Sequence, residues 1–188
     1  EGQHLHYLTS AALDGLRQAL EQLRPDFVLV HGDTTTTFAA ALAAFYAGIP
    51  VGHVEAGLRT ESIAAPFPEE FNRRATDLLA AHCYCPTPAA ARRLAQNPDC
   101  SGEVFITGNT ALDAVRLNFE PNYRFRAPEL GEFAAYSGPK LVLTAHRRES
   151  WGAPLGEICG GLLDALAAEP RARAAVCLHP NPEVAEKI

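Results

Sequence analysis

Residues 27–54 read Phe27-Val28-Leu29-Val30-His31-Gly32-Asp33-Thr34-Thr35-Thr36-Thr37-Phe38-Ala39-Ala40-Ala41-Leu42-Ala43-Ala44-Phe45-Tyr46-Ala47-Gly48-Ile49-Pro50-Val51-Gly52-His53-Val54. The apolar run 27–30 has strand length, and the polar residues after it end the strand in a turn. An alanine-rich stretch over 35–46 follows, with the composition of a helix, before Gly48 and Pro50 punctuate the chain and a second apolar run occupies 51–54. Strand, helix and strand in this order form a crossover unit, which pairs its two strands in parallel.

The same alternation continues on both sides. Upstream, Leu13, Leu16, Leu20 and Leu23 recur at helical spacing behind the candidate caps Thr9 and Ser10, and Pro25 follows the helix end. Downstream, the pattern predicts helices over 68–81, 88–96 and 110–117, and strands over 83–85 and 104–107. Residues 1–118 therefore read as one α/β domain. Between 119 and 139 the pattern fails: Pro121, Pro128, Gly131, Gly138 and Pro139 mark a linker that buries little. A strand over 140–145, a helix over 155–168 and a strand over 174–178 then open a second α/β domain, 140–188. The chain has no methionine and stops at Val184-Ala185-Glu186-Lys187-Ile188 as though a helix had just begun, so it reads as an incomplete fragment. Two such domains, with parallel sheets flanked by helices, offer a nucleotide site between the carboxyl ends of their strands.

Composition narrows the function. The 188 residues are 47% hydrophobic and 20% charged, ordinary globular material, and the net charge of -6 argues against a nucleic-acid binder, which needs a basic face. No apolar run reaches the roughly 20 residues that span a bilayer, and the polar start, Glu1 to His6, is unlike a secretory signal, so a cytoplasmic protein without membrane partners is expected. The five cysteines, Cys83, Cys85, Cys100, Cys159 and Cys177, form no CxxC pair, and several lie in apolar stretches. Neither a metal site nor a disulfide framework is expected.

Five segments carry residues suited to chemistry. His31-Gly32-Asp33-Thr34 lies where a strand meets a helix; Asp33 or Thr34 can cap that helix, and the four hydroxyls of Thr34 to Thr37 can also serve a polar ligand. His53-Val54-Glu55-Ala56-Gly57-Leu58-Arg59 follows the next strand, and Glu55 is either a site carboxylate, a solvated one or a partner of Arg59. In Pro66-Phe67-Pro68-Glu69-Glu70-Phe71-Asn72-Arg73, the two glutamates suit the first turn of a helix by its dipole. His146-Arg147-Arg148 follows the strand 140–145, and guanidinium forks suit phosphate, although pairing with Glu149 is the alternative. Finally, His179 sits between a strand and the turn-forming Pro180.

Taken in order, HGDTTTT, HVEAGLRT, PFPEEFNR, FITGNTALDA, TAHRRES and LHPNP resemble the UDP-N-acetylglucosamine 2-epimerase family of the non-hydrolysing, bacterial type. The resemblance implies a GT-B-like fold of two Rossmann-like domains, of which this chain holds most of the first and the start of the second. It lacks the family's opening Gly-rich strand and turn and its later Asp-Ser-Gly-Gly segment, and is expected to be inactive alone. The activity implied is interconversion of UDP-GlcNAc and UDP-ManNAc by elimination and re-addition of UDP. Matching motifs assign Asp33, Glu55 and Glu69 as acid-base carboxylates and His146 beside the diphosphate, with Arg73, Arg147, Arg148 and His179 lining the sugar-nucleotide region. The resemblance further implies no cofactor, a second UDP-GlcNAc as activator near Arg147 and His179, and a homodimer at full length. A hydrolysing 2-epimerase, a GT-B glycosyltransferase and a non-catalytic sugar-nucleotide-binding module are the alternatives. The Glu55-Ala56-Gly57-Leu58-Arg59 sequence departs from the Glu-Gly-Gly-Glu of the hydrolysing relatives, and a binding module has no use for three carboxylates.

Overall fold

A computed structural model describes residues 4–145 and 153–178, and the chain divides into two compact units, 1–119 and 120–188. In the first unit, helix α1 (Leu5–Leu23) precedes β1 (Val28–His31), α2 (Thr35–Tyr46), β2 (Val51–Val54), α3 (Glu69–Leu79), β3 (His82–Cys85), α4 (Pro88–Ala95), β4 (Glu103–Ile106) and α5 (Thr110–Asn118). The four strands form one sheet in the order β1-β2-β3-β4, every pair parallel, with Val30 opposite His53 and His53 opposite Cys83. The α/β architecture expected from the sequence, parallel strands with crossover helices, is the one observed. Sequential order leaves all the carboxyl ends along one edge, so the turns after β1 and β2 are neighbours.

Strand periodicity divides the sheet into two faces. One packs apolar helix residues: Val30 and Val51 meet Ala41 and Ala44 of α2, while Cys83 and Cys85 meet Ala90 and Leu94 of α4. The other carries a row of rings in which Tyr84 stacks on Phe105 and His82 lies edge-on to both. Gly57, at φ +79, lies where a Cβ would come within 2.5 Å of the Ala90 carbonyl oxygen, so the turn after β2 and helix α4 touch through backbone.

Two local expectations change. Helix α1 begins at Leu5 instead of behind Thr9 and Ser10, whose hydroxyls donate backwards to the carbonyls of Leu5 (2.8 Å) and Tyr7 (3.1 Å). Hydroxyls satisfied this way sit inside a helix as readily as at its cap. Within 119–139, Pro128–Ala135 forms a helix, α6, with Pro128 in its first turn, where the missing N–H costs nothing. The second unit continues with β5 (Lys140–Thr144), α7 (Ala153–Ala168) and β6 (Arg173–Cys177); β5 and β6 pair in parallel. Tyr136 supports it, its hydroxyl donating to the Arg171 carbonyl and its ring lying 4.0 Å from the Arg173 guanidinium. No helix among the described residues is long and apolar enough to cross a membrane.

Candidate functional site

The turn after β1 is fixed from its neighbours. Gly32, at φ +76, donates its N–H to the Val54 carbonyl (2.9 Å), and Thr34 caps α2 by accepting from the Thr37 N–H at 3.2 Å. The Thr37 hydroxyl, buried, donates to the His31 carbonyl (2.6 Å). Thr34 and Thr37 thus shape the turn, and Asp33 is left with its side chain about a third exposed, at 30%.

Glu55, immediately after β2, adopts φ +71, a left-handed conformation that costs a non-glycine residue of order 1–3 kcal/mol. Its N–H and that of Ala56 both donate to the Tyr84 carbonyl, at 3.0 and 3.2 Å, and hold it there. The Glu55 carboxylate reaches to 3.6 Å from His31 Nε2 and would touch a Cβ placed on Gly32. His31 Nε2 also lies 3.3 Å from the Thr110 hydroxyl, so the amino end of α5 joins the same edge.

Helix α3 supplies the third wall, with an unusual buried face. Glu70, Asn72, Arg73, Thr76 and Asp77 are buried, while Phe71 and Leu78 are exposed. Residues 70, 73 and 77 share one helical side. Arg73 donates to Glu70 Oε2 (2.5 Å) and pairs with the Asp33 carboxylate, and Asn72 Nδ2 donates to the Asp33 carbonyl at 3.0 Å. Arg74 donates to the other Glu70 oxygen at 2.7 Å. One turn further on, Asp77 accepts from Gly57 N (3.2 Å) and Arg59 (2.6 Å) and bonds His53 Nδ1 at 2.6 Å, while His53 Nε2 donates to the Gly32 carbonyl at 2.8 Å. The carboxylates of Asp33, Glu70 and Asp77 are matched by the guanidiniums of Arg59, Arg73 and Arg74, which is the condition for burying ions.

Of the residues singled out by sequence, Asp33 and Glu55 lie on adjacent turns, and Arg73 links α3 to Asp33. Arg73 is 8% exposed, and its side chain is spent on carboxylates. Glu69 opens α3, half-buried, and forms no ion pair among the described residues. Glu55 does not pair with Arg59, because the fully buried Asp77 takes that guanidinium. His146, Arg147, Arg148 and His179 lie outside the described residues. From the sequence, His31 and His53 stand in candidate segments without a role of their own, Glu70 reads as compensating the helix dipole, and Asp77 is not singled out. The 70, 73, 77 spacing of opposite charges was the available signal for two of them.

The cysteines do not belong to this chemistry. Burial first, and the nearby Asp77 carboxylate second, push the Cys83 thiol up to about 12; burial likewise pushes Cys85 to about 11 and raises Cys100. A cavity of about 790 Å³ between α1 and the end of α2, lined by Leu13, Arg17, Leu20 and Tyr46, lies toward the amino ends of the strands, away from Asp33.

The family model for UDP-N-acetylglucosamine 2-epimerase matches residues 1–188. The chain belongs to this family. It is 44% identical over 188 residues to a putative UDP-N-acetylglucosamine 2-epimerase of Thermotoga maritima, covering 100% of this chain and 50% of that protein. Among solved structures, S. aureus MnaA with UDP superimposes with a TM-score of 0.89 at 38% identity, covering 100% of this chain and 50% of that one. The UDP-GlcNAc 2-epimerase of Neisseria meningitidis bound to UDP-GlcNAc gives a TM-score of 0.85 at 39% identity, covering 98% and 51%. The chain therefore spans about half the length of the 2-epimerases it matches.

Proposed function

We propose that a polypeptide of the relatives' length carrying this sequence interconverts UDP-GlcNAc and UDP-ManNAc without hydrolysing them. The observation that carries the reading is the strained Glu55 beside the Asp33 turn at the carboxyl edge of the sheet, tied through Arg73 to the helix that Glu69 opens. Strained backbone persists where surrounding structure over-determines it, and active sites are where such positions cluster. Family membership and the relatives solved with UDP and UDP-GlcNAc support the substrate class.

No carbonyl flanks the sugar C2, so removal of its proton is coupled to loss of the anomeric UDP. A carboxylate takes the C2 proton, the C1–O bond breaks with its electrons going to UDP, and 2-acetamidoglucal forms. Protonation of the opposite face of C2 and return of UDP to C1 complete the epimerisation. Asp33, Glu55 and Glu69 are the proposed acid-base groups. His146 stabilises the departing diphosphate, and Arg147, Arg148 and His179 line the nucleotide region. Arg73 serves the same region by holding Asp33.

In this reading residues 1–118 form most of the amino-terminal Rossmann-like domain of a GT-B pair, 119–139 the linker and 140–188 the start of the second. A second UDP-GlcNAc activates the enzyme from a site near Arg147 and His179, the full-length protein is a cytoplasmic homodimer, and no cofactor takes part. The test is to incubate the full-length polypeptide with UDP-GlcNAc and follow products by proton NMR. UDP-ManNAc at equilibrium with substrate is expected; free ManNAc with UDP would assign the hydrolysing reaction, and binding without turnover would reduce the protein to a sugar-nucleotide-binding module.

A further inference from the structure

His53 occupies the middle of β2, in register with Val30 on one side and Cys83 on the other, both buried apolar residues. Its ring is 0% exposed, as is Asp77. A core position of this kind is filled more cheaply by an apolar side chain, since a buried polar group must recover its lost hydration through hydrogen bonds. His53 recovers it completely: Nδ1 faces Asp77 Oδ1 at 2.6 Å, and Nε2 faces the Gly32 carbonyl at 2.8 Å. A carbonyl oxygen only accepts, so the hydrogen of the second bond sits on Nε2; the 2.6 Å contact with Asp77 holds a further hydrogen between Nδ1 and Oδ1 and fixes the ring.

The two ends of this contact are turns that the mechanism uses. The Gly32 carbonyl belongs to the peptide plane whose N–H is that of Asp33. A glycine at φ +76 has the freedom to let this plane rotate, and the donor on His53 removes it. At the other end, the second Asp77 oxygen holds the N–H of Gly57, two residues after Glu55. Valine or cysteine in place of His53 would fill the core, as in the flanking strands, but would leave the 32–33 peptide unfastened.

We infer that His53, oriented by Asp77, is a positioning residue whose Nε2 hydrogen fixes the Gly32 carbonyl and thereby the presentation of Asp33, while Asp77 steadies the Glu55 turn. The inference rests on the epimerase reading above. Misplacement of a reacting group by about 1 Å is enough to cost about 10²-fold in rate. The effect falls on kcat, because neither residue is asked to touch the nucleotide.

The test compares His53→Gln with His53→Asn in the full-length enzyme. The longer amide reaches toward the Nε2 position and retains a donor for Gly32; the shorter one mimics Nδ1, keeps a partner for Asp77 and leaves the Gly32 carbonyl bare. A merely structural histidine predicts equal losses in the two. Positioning predicts that Asn lowers kcat by about tenfold to 10²-fold with KM near that of the unsubstituted enzyme, and that Gln restores kcat to within about threefold. Equal kcat values in the two folded variants, or a change confined to KM, would overturn the inference. NMR of the unsubstituted protein with ¹⁵N-labelled histidine decides the matter if the variants do not fold. A solvent-protected Nε2–H signal from His53 is expected, and an Nε2 that bears no hydrogen would overturn the inference. Absence of epimerisation by the unsubstituted enzyme would instead remove the functional reading, leaving the NMR result to judge the hydrogen bond itself.

Discussion

Helices α2 and α3 are neighbours against the four-stranded sheet, meeting through the edge-on rings of Phe38 and Phe71, and they bury opposite kinds of residue. The buried positions of α2 are Thr37, Ala39, Ala41, Ala43 and Ala44; those of α3 are Glu70, Asn72, Arg73, Thr76 and Asp77. A sheet can be covered by either, but the energetics differ. Alanines let α2 approach closely at little entropic cost. The ions of α3 must each find a partner before their burial is tolerable: Glu70 finds it in Arg73 and Arg74 of the same helix, while Arg73 and Asp77 reach Asp33 after β1 and Gly57 and Arg59 after β2. Helix α2 is thus scaffold, whereas α3 ties the turns of Asp33 and Glu55 to one frame.

The contrast is broken most directly by removing one buried ion. Asp77→Ala leaves His53, Gly57 N and Arg59 facing a missing acceptor, and urea denaturation is expected to register a loss of about 3–5 kcal/mol. A cost below 1 kcal/mol would mean that the α3 network is not held as the geometry implies. On α2 the corresponding insult is volume. Ala44→Leu, at a fully buried site, is expected to cost about 1–3 kcal/mol by overpacking without altering the charged network. Loss of the α2 cap in Thr34→Ala is smaller, about 1 kcal/mol, and the same denaturation series measures it.

These two helices also show how far sequence reading reaches. The 35–46 helix, the strand 51–54 and the parallel alternation were legible because apolar periodicity reports burial where burial is apolar. In α3 that rule inverts: Phe71 and Leu78 mark the exposed side, and Glu70, which reads as a dipole-compensating residue of the first turn, is 0% exposed. The dyad of His53 and Asp77 joins residues 24 positions apart, a pairing that only the β2–α3 packing creates. Asp33 and Glu55 were legible as candidates from their places at strand ends and from the family motifs. The conformation of Glu55, and the grip of Arg73 on Asp33, required the fold. Thr9 and Ser10 misled because a hydroxyl that caps a helix can equally donate to a carbonyl one turn back.

The least effect at neutral pH comes from the thiols packed under α4. Burial raises Cys83 and Cys85 to about 12 and about 11, above the 9.0 of an unperturbed thiol. The folded chain therefore keeps protons that the unfolded chain releases. Their contribution to stability is fully present below pH 9.0 and declines as the pH rises through the folded values. Alkylation by iodoacetamide at pH 8, followed by mass spectrometry, is expected to modify the exposed Cys177 well before Cys83 or Cys85. Equal labelling rates would show that the α4 side of the sheet opens as readily as the surface.

The central claim is that the turns fastened by α3 present carboxylates for proton transfer at C2. Its most direct measurement is the reaction of the full-length enzyme with UDP-GlcNAc in D₂O, following deuterium at C2 of UDP-ManNAc in the unsubstituted protein and in Glu55→Gln and Glu69→Gln. Solvent deuterium is expected at C2 of the product, with a fall in turnover of about 10²-fold or more in either variant, each of which keeps its shape while losing a titratable group. Epimerisation without deuterium at C2, or Gln variants that exchange C2 as fast as the unsubstituted enzyme, would contradict the claim.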